Sequence, residues 1–402
     1  MRLIVREDYL NKLKNVMGTP DIKVITGVRR SGKSKLLESF MAYVLETDPA
    51  ANIIHINFNL NAYERYAEYH ALHDYIEQNY VPGKNNYVMI DEVQMCAGFE
   101  KTINSLHASE QYDIYITGSN AFLLSSDLAT FFTGRTIEIE VFPFSFREFM
   151  QYYELSEPYA AFTRYIQEGG MSGSYLYRTP ELRYGYISDV FHTLIVRDIQ
   201  RKYRIRNMPL MERLCDFLID NISNLTSSRS VAAAFQRERI ETNDRTVSSY
   251  IKYLCNAFAF YKVKRYDIQG KRYLTTNDKY YLSDHAFKYA MLGTKNADQG
   301  RMIENIVAIE LLRRGYELYA GILYQKEIDF VAIKRSEKLY IQVASSIDDP
   351  DTFRREVEPL FKIKDAYPRM LLARTRQEAY QYEGIQIIDV ADWLCANTDR
   401  AE

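Results

Sequence analysis

Eight residues, Gly27-Val28-Arg29-Arg30-Ser31-Gly32-Lys33-Ser34, restrict the folds open to this chain more than any other stretch. They match G-x-x-x-x-G-K-[ST] at every fixed position. The β-branched run Ile22-Lys23-Val24-Ile25-Thr26 precedes them and reads as a buried strand, and the apolar residues after Lys33 recur at helical spacing. A glycine-rich loop in that setting turns its backbone N–H groups inward around a phosphate. The helix that follows points its positive dipole end at the same anion. Gly27, Val28, Arg29, Arg30, Ser31 and Gly32 are therefore expected to form the cradle. Lys33 should reach the β- and γ-phosphates, and Ser34 should offer its hydroxyl to Mg²⁺.

A second strand is expected over Asn52–Phe58, and a third over Tyr87-Val88-Met89-Ile90, ending in Asp91-Glu92-Val93-Gln94. Ligands of such sheets bind beyond the carboxyl ends of the strands, so both acids arrive where the phosphates sit. Asp91 is expected to hold Mg²⁺, and Glu92 to polarise the attacking water. A fourth strand, Asp113–Thr117, ends in Gly118-Ser119-Asn120, where Ser119 or Asn120 could contact the γ-phosphate or the water. A fifth, Ile137–Val141, follows Gly134-Arg135. In ring ATPases an arginine at this position completes a neighbour's nucleotide site, so a role for Arg135 implies a homo-oligomer. No Asn-Lys-x-Asp follows, which favours ATP over GTP.

Ser145 with Glu148 spells a capping box that opens a helical stretch. One arginine of that stretch, Arg164, Arg178 or Arg197, is a candidate γ-phosphate sensor. Beyond Arg197 the charge becomes uneven. Helices are expected over about 210–222, from Ser228 to Phe235, and over 243–256. They are followed by a hairpin that turns at Asp267-Ile268-Gln269-Gly270, together a winged-helix pattern. Residues 229–279 carry eleven bases, Lys279 among them, against five acids, in a chain whose formal net charge is −2. That imbalance suits a DNA backbone, with Arg245 and Lys252 on the helix in the major groove and Lys262, Lys264 and Arg265 on the hairpin. A protein partner is the alternative.

The last segment pairs an amphipathic helix containing Glu304 with two strands, one carrying Asp329 and the other ending Gln342-Val343-Ala344. This is the outline of a nuclease core of the PD-(D/E)XK kind. Such chemistry needs a second carboxylate and a lysine where Gln342 and Ala344 stand, so the core is expected to be inactive. Lys338 or Arg354 are the candidates to supply the missing cation.

Composition sets outer bounds. A chain of 402 residues, 47% hydrophobic and 26% charged, calls for two or three soluble domains. The 34 tyrosines read as packing residues at half-buried positions. Four scattered cysteines form no zinc or redox pair, and no apolar run is long enough to span a membrane. A reduced, cytoplasmic setting without membrane contact is expected.

Taken together, the motifs at 27–34, 90–94, 117–119, 134–135 and 143–149, with Glu327-Ile328-Asp329-Phe330-Val331, resemble a bacterial and archaeal AAA+-type ATPase family. Its members join a P-loop domain to a C-terminal domain with a restriction-endonuclease-like core. The resemblance implies strand order 5-1-4-3-2 for the α/β P-loop domain, which is read over 1–142 and followed by a helical lid over 143–205. The winged helix is expected over 206–295, and the restriction-endonuclease-like α/β domain over 296–402. The resemblance implies ATP binding with hydrolysis and supplies no substrate. With Mg²⁺ expected at Ser34 and Asp91 and the basic segment after Arg197, the residues themselves point to an ATP-driven switch or remodeller acting on DNA or protein. The rival expectations are an ATP-dependent nuclease using Glu304 and Asp329, and a nucleotide-loaded module that does not hydrolyse.

Overall fold

The computed structural model describes residues 4–118, 132, 134–293, 298–324 and 326–396, with the side chains at 196, 197, 275 and 276 excepted. Two units emerge. The first comprises Met1–Pro143, Leu194–Arg204 and Asn256–Phe258, and the second comprises Phe144–Thr193, Ile205–Cys255 and Ala259–Glu402.

In the first unit, β1 (Ile22–Thr26), β2 (Asn52–Asn57), β3 (Asn86–Asp91), β4 (Tyr112–Thr117) and β5 (Thr136–Glu140) form one sheet in the order β2-β3-β4-β1-β5. Every pairing is parallel. The observed order is the expected 5-1-4-3-2. A parallel sheet needs cover on both faces, and alternation along each strand divides the residues between them. Ile25, Tyr115 and Ile139 pack with α1 (Glu7–Asn15) and α2 (Lys33–Thr47), through Leu13, Leu36 and Phe40. Val24, Ile90 and Ile116 pack the other way, with α3 (Tyr69–Gln78) and α4 (Phe99–Ser109), through Leu72 and Ile103. The charged stretch before α3 is a 3₁₀ turn, Asn61–Tyr66, and Glu68 caps α3 by accepting from the His70 N–H at 2.9 Å.

The second unit opens with the expected capping box: Ser145 Oγ accepts from Glu148 N at 3.2 Å, and Glu148 Oε2 accepts from Ser145 N at 2.8 Å. Helices Phe146–Tyr153, Pro158–Glu168 and Pro180–Thr193 follow. Then come Met208–Asp220, Ser228–Arg237 and Asp244–Asn256, close to the positions read from the sequence. The hairpin strands are β6 (Phe260–Asp267) and β7 (Arg272–Leu282). Beyond the helix Gln299–Arg313 lie β8 (Glu317–Leu323), β9 (Lys326–Lys334), β10 (Glu337–Ala344), β11 (Arg369–Ala373), β12 (Tyr380–Tyr382) and β13 (Ile385–Asp389).

The hairpin differs from a free-standing wing. β6 pairs in parallel with β8, from Lys264↔Tyr319 to Asp267↔Ile322, and becomes part of an eight-stranded sheet. Its order is β12-β13-β11-β10-β9-β8-β6-β7. A parallel pairing across some fifty residues leaves no local mark on either strand, which is why the sequence shows two separate modules there.

Candidate functional site

The phosphate loop is built by close approach of backbone to backbone. Gly27 has φ +132°, and a Cβ there would lie 2.2 Å from the Val141 carbonyl oxygen, so no larger residue fits. Gly32, at φ +99°, caps α2 in a left-handed conformation. Behind the loop, the buried Arg6 donates from Nη1 to the Ser31 carbonyl at 2.8 Å while its guanidinium lies 4.4 Å from the Tyr9 ring centroid. Sequence reasoning missed Arg6, which precedes the first helix with no motif around it.

Lys33 is 6% exposed and donates from Nζ to the Gly27 and Val28 carbonyls at 2.8 and 3.0 Å. Burial pulls its pKa below the ordinary lysine value, and the negative charges of Glu92, Asp91 and Asp198 resist that pull. The ammonium is thus held by neutral carbonyls, with acids close by.

Asp91, the last residue of β3, is 1% exposed. Its Oδ1 accepts from Thr117 Oγ1, and its Oδ2 is buried with no hydrogen-bond partner among the described residues. The Ser31 hydroxyl is likewise buried and unpartnered among them. A carboxylate oxygen in that state is costly unless a cation or donor meets it. The half-buried Ser34 at the start of α2 adds a neutral oxygen. This donor set fits Mg²⁺, which takes few protein oxygens and keeps the rest for phosphate and water. Glu92 stands in a left-handed conformation at φ +57° and accepts from Gln94 Nε2. Its backbone N–H donates to Thr117 Oγ1 at 3.2 Å. Thr117 therefore orients both acids, a role invisible in a β-branched strand residue until the strands are paired.

A second missed residue is Asp198. The π-helical stretch Leu194–Gln200 belongs to the same unit as the P-loop, and there Asp198 Oδ1 lies 3.6 Å from Arg29 Nη1. Both side chains are largely buried, at 8% and 19% exposure.

The other expected residues scatter. Ser119 and Asn120 lie outside the described residues, as does the side chain of Arg197, whose backbone is in the P-loop unit. Arg135 is exposed where β5 begins, beside Ile22, at the end of the sheet opposite the P-loop. It does not reach its own nucleotide loop. Arg164 is engaged elsewhere: its Nε donates to Glu168 at 2.8 Å and it stacks 3.6 Å over the Tyr153 ring. Arg178 is exposed in the second unit.

Of the basic residues, Arg245 and Lys252 are exposed on the helix Asp244–Asn256, seven positions apart and so on one face. Lys264 is exposed and Arg265 half-buried, whereas Lys262 pairs with Asp278 at 2.7 Å. Lys279 leaves the basic set altogether. It is 2% exposed and turns away from solvent, towards Glu304, Glu327 and Asp329.

That last cluster corrects the expected source of a replacement cation. Lys338 sits 3.7 Å from Asp365 instead, and Arg354 is exposed and paired with Asp351. Glu304, Asp329 and Gln342 do come together: Gln342 Oε1 accepts from Asp329 N at 3.3 Å, and Gln342 Nε2 donates to Glu356 at 3.0 Å. Among the described residues, no helix is long and apolar enough to cross a membrane.

Comparison with known proteins gives this geometry a setting. Residues 19–150 match the family model described as an AAA domain, and residues 159–298 match a domain of unknown function (DUF8612). An uncharacterized protein of Haemophilus influenzae is 37% identical over 398 residues, covering 98% of each chain. Uncharacterized protein MJ1544 of Methanocaldococcus jannaschii is 25% identical over 387 residues, covering 92% of this chain and 85% of that one. Among solved structures, AMPPCP-bound DnaA from Aquifex aeolicus aligns with a TM-score of 0.31 and 15% identity, over 61% of this chain and 86% of that one.

Proposed function

From a chain that belongs to the family of this Haemophilus influenzae protein, and that carries an AAA domain followed by DUF8612, we propose a magnesium-dependent ATPase that works as a nucleotide-driven switch. The observation that carries the reading is the Oδ2 of Asp91, buried and unpartnered among the described residues, beside the buried ammonium of Lys33. In this reading Lys33 leaves the Gly27 and Val28 carbonyls for the β- and γ-phosphate oxygens. Arg29 turns from Asp198 towards the same charge. Ser34 and Asp91 would hold Mg²⁺, whose chemistry there would be neutralisation of phosphate charge. Glu92, aimed by Thr117 and Gln94, takes the proton of the attacking water. Arg135 at the far end of the sheet suits a second copy's nucleotide.

The test is a pair of substitutions. Lys33→Ala should abolish ATP binding. Glu92→Gln should keep binding and cut phosphate release by roughly 10²–10⁴-fold. Turnover at the wild-type rate in Glu92→Gln would overturn the assignment of the base.

For the partner, the exposed Arg245 and Lys252 on one helix face, with Lys264 nearby in the chain, favour duplex DNA. Neutralising Arg245 and Lys252 together should weaken DNA binding and flatten its salt dependence by roughly one unit of slope per residue. Binding that ignores salt would point to a protein partner.

A further inference from the structure

Glu304 on the helix Gln299–Arg313 and Glu327 and Asp329 on β9 converge from two elements onto one point. A third element fills that point. Lys279 on β7 places its Nζ 2.8 Å from Glu304 Oε1, 2.5 Å from Glu327 Oε1 and 3.6 Å from Asp329 Oδ1. The carboxylate oxygens have further donors as well. Tyr281 Oη donates to Glu304 Oε1 at 2.7 Å, and Val343 N donates to Asp329 Oδ2 at 2.8 Å. Gln342, where a nuclease core would carry another carboxylate, donates towards Glu356. Among the described residues no group of three or more His, Cys, Asp or Glu side chains is arranged to hold a metal ion.

We propose that Lys279 is the built-in cation of this site. Its ammonium takes the place a divalent metal would need among Glu304, Glu327 and Asp329, and in doing so pins the β6–β7 hairpin to the sheet. Three points support this. Removing a buried ammonium from three acids would leave them mutually repelling, so an entering metal must displace a well-paired charge. The same helix grips β7 a second time, through Asn305, which exchanges hydrogen bonds of 2.7 and 2.9 Å with the Leu282 backbone. And the ammonium is held by carboxylates, whereas Lys33, the lysine expected to reach phosphate, is likewise buried but held by neutral carbonyls. The balance of charge holds too: burial acts to lower the Lys279 pKa, but the charges of Glu304, Asp329 and Glu327 outweigh it and the net shift is upward.

The proposal predicts how the site responds to metal. Terbium luminescence of the nucleotide-free full chain, sensitised by tyrosines such as Tyr281, should be the same in the wild type and in Asp329→Asn. Lys279→Met, which keeps the apolar stem, should gain a terbium or Mn²⁺ site at least about tenfold tighter than any in the wild type. Adding Asp329→Asn to Lys279→Met should remove it. A folded Lys279→Met that gains no site would overturn the proposal. If Lys279→Met does not fold, the wild type still decides. Millimolar Mn²⁺ should shift the melting temperature of the wild type no more than it shifts that of Asp329→Asn. A stabilisation that Asp329→Asn abolishes, or plasmid nicking by the wild type with Mn²⁺ that Asp329→Asn abolishes, would show a working metal centre and overturn it.

Discussion

Two buried lysines, Lys33 and Lys279, lie close to acids, and their surroundings are opposites. At the P-loop, Lys33 is held by carbonyls, Asp91 keeps one buried oxygen unpartnered among the described residues, and Glu92 sits at positive φ. Around Lys279, the ammonium is held by carboxylates and the inward-facing carboxylate oxygens have donors. Burial wins over charge at Lys33 and lowers its pKa, while charge wins over burial at Lys279 and raises it. The first arrangement is poor in internal pairing and ready for an external anion and cation. The second supplies its own. Residue type does not separate them; the distribution of partners does.

The largest effects should come from substituting one acid at each site. Asp91→Asn should lower ATP turnover by roughly 10²-fold or more through loss of the metal's carboxylate, with a melting temperature equal to or above the wild type's. Glu304→Gln should leave ATP turnover unchanged and destabilise its unit by about 1–3 kcal/mol through loss of charged hydrogen bonds. Turnover and denaturation measured on both proteins test the contrast. Equal losses in both measurements for both variants would erase it.

Thr117→Val comes next. It keeps shape and removes the hydroxyl that ties Asp91 to the Glu92 N–H, so turnover should fall by roughly 10–100-fold, with ATP binding changed less. Unchanged turnover would mean that Thr117 orients nothing.

A smaller effect is expected from Asp198→Asn. It frees Arg29 and removes an acid close to Lys33, so ATP should bind about fivefold tighter, near 1 kcal/mol. Weaker binding in a calorimetric titration would make Asp198 a support of the loop instead of a competitor for its cations.

The smallest effect near neutral pH is the titration of Lys33 itself. A lowered pKa means that the proton is lost as pH rises, earlier than from an ordinary lysine at about 10.4. ATP affinity should therefore begin to decline below that value. The ion pairs of Lys279 should persist through the same range, because its pKa is shifted the other way. Affinity that stays flat up to pH 10 would contradict the burial effect at Lys33.

Much of the first unit was legible in the sequence because its information is local. Five short apolar runs, a glycine-rich turn and two acids at a strand end lie within contiguous stretches. Chain connectivity with helical cover then leaves few arrangements of a parallel sheet. Gly27 and Gly32 could be read as necessary turns before their positive φ values were seen. The helices of the second unit were legible for the same reason, by period and by caps such as Ser145 with Glu148.

What escaped was what depends on long-range register. The β6–β8 pairing joins strands whose own patterns say nothing about each other. Asp198 reaches Arg29 because a stretch beyond three helices returns to the P-loop unit. Lys279 stands 25 residues before Glu304 and counted as a basic surface residue until β7 turned it inward. A motif announces residue types at fixed spacing. Whether a lysine meets a phosphate, a solvent-facing DNA backbone or three buried acids depends on which faces the packed strands bring together. Only desolvation in the folded chain makes that choice energetically large.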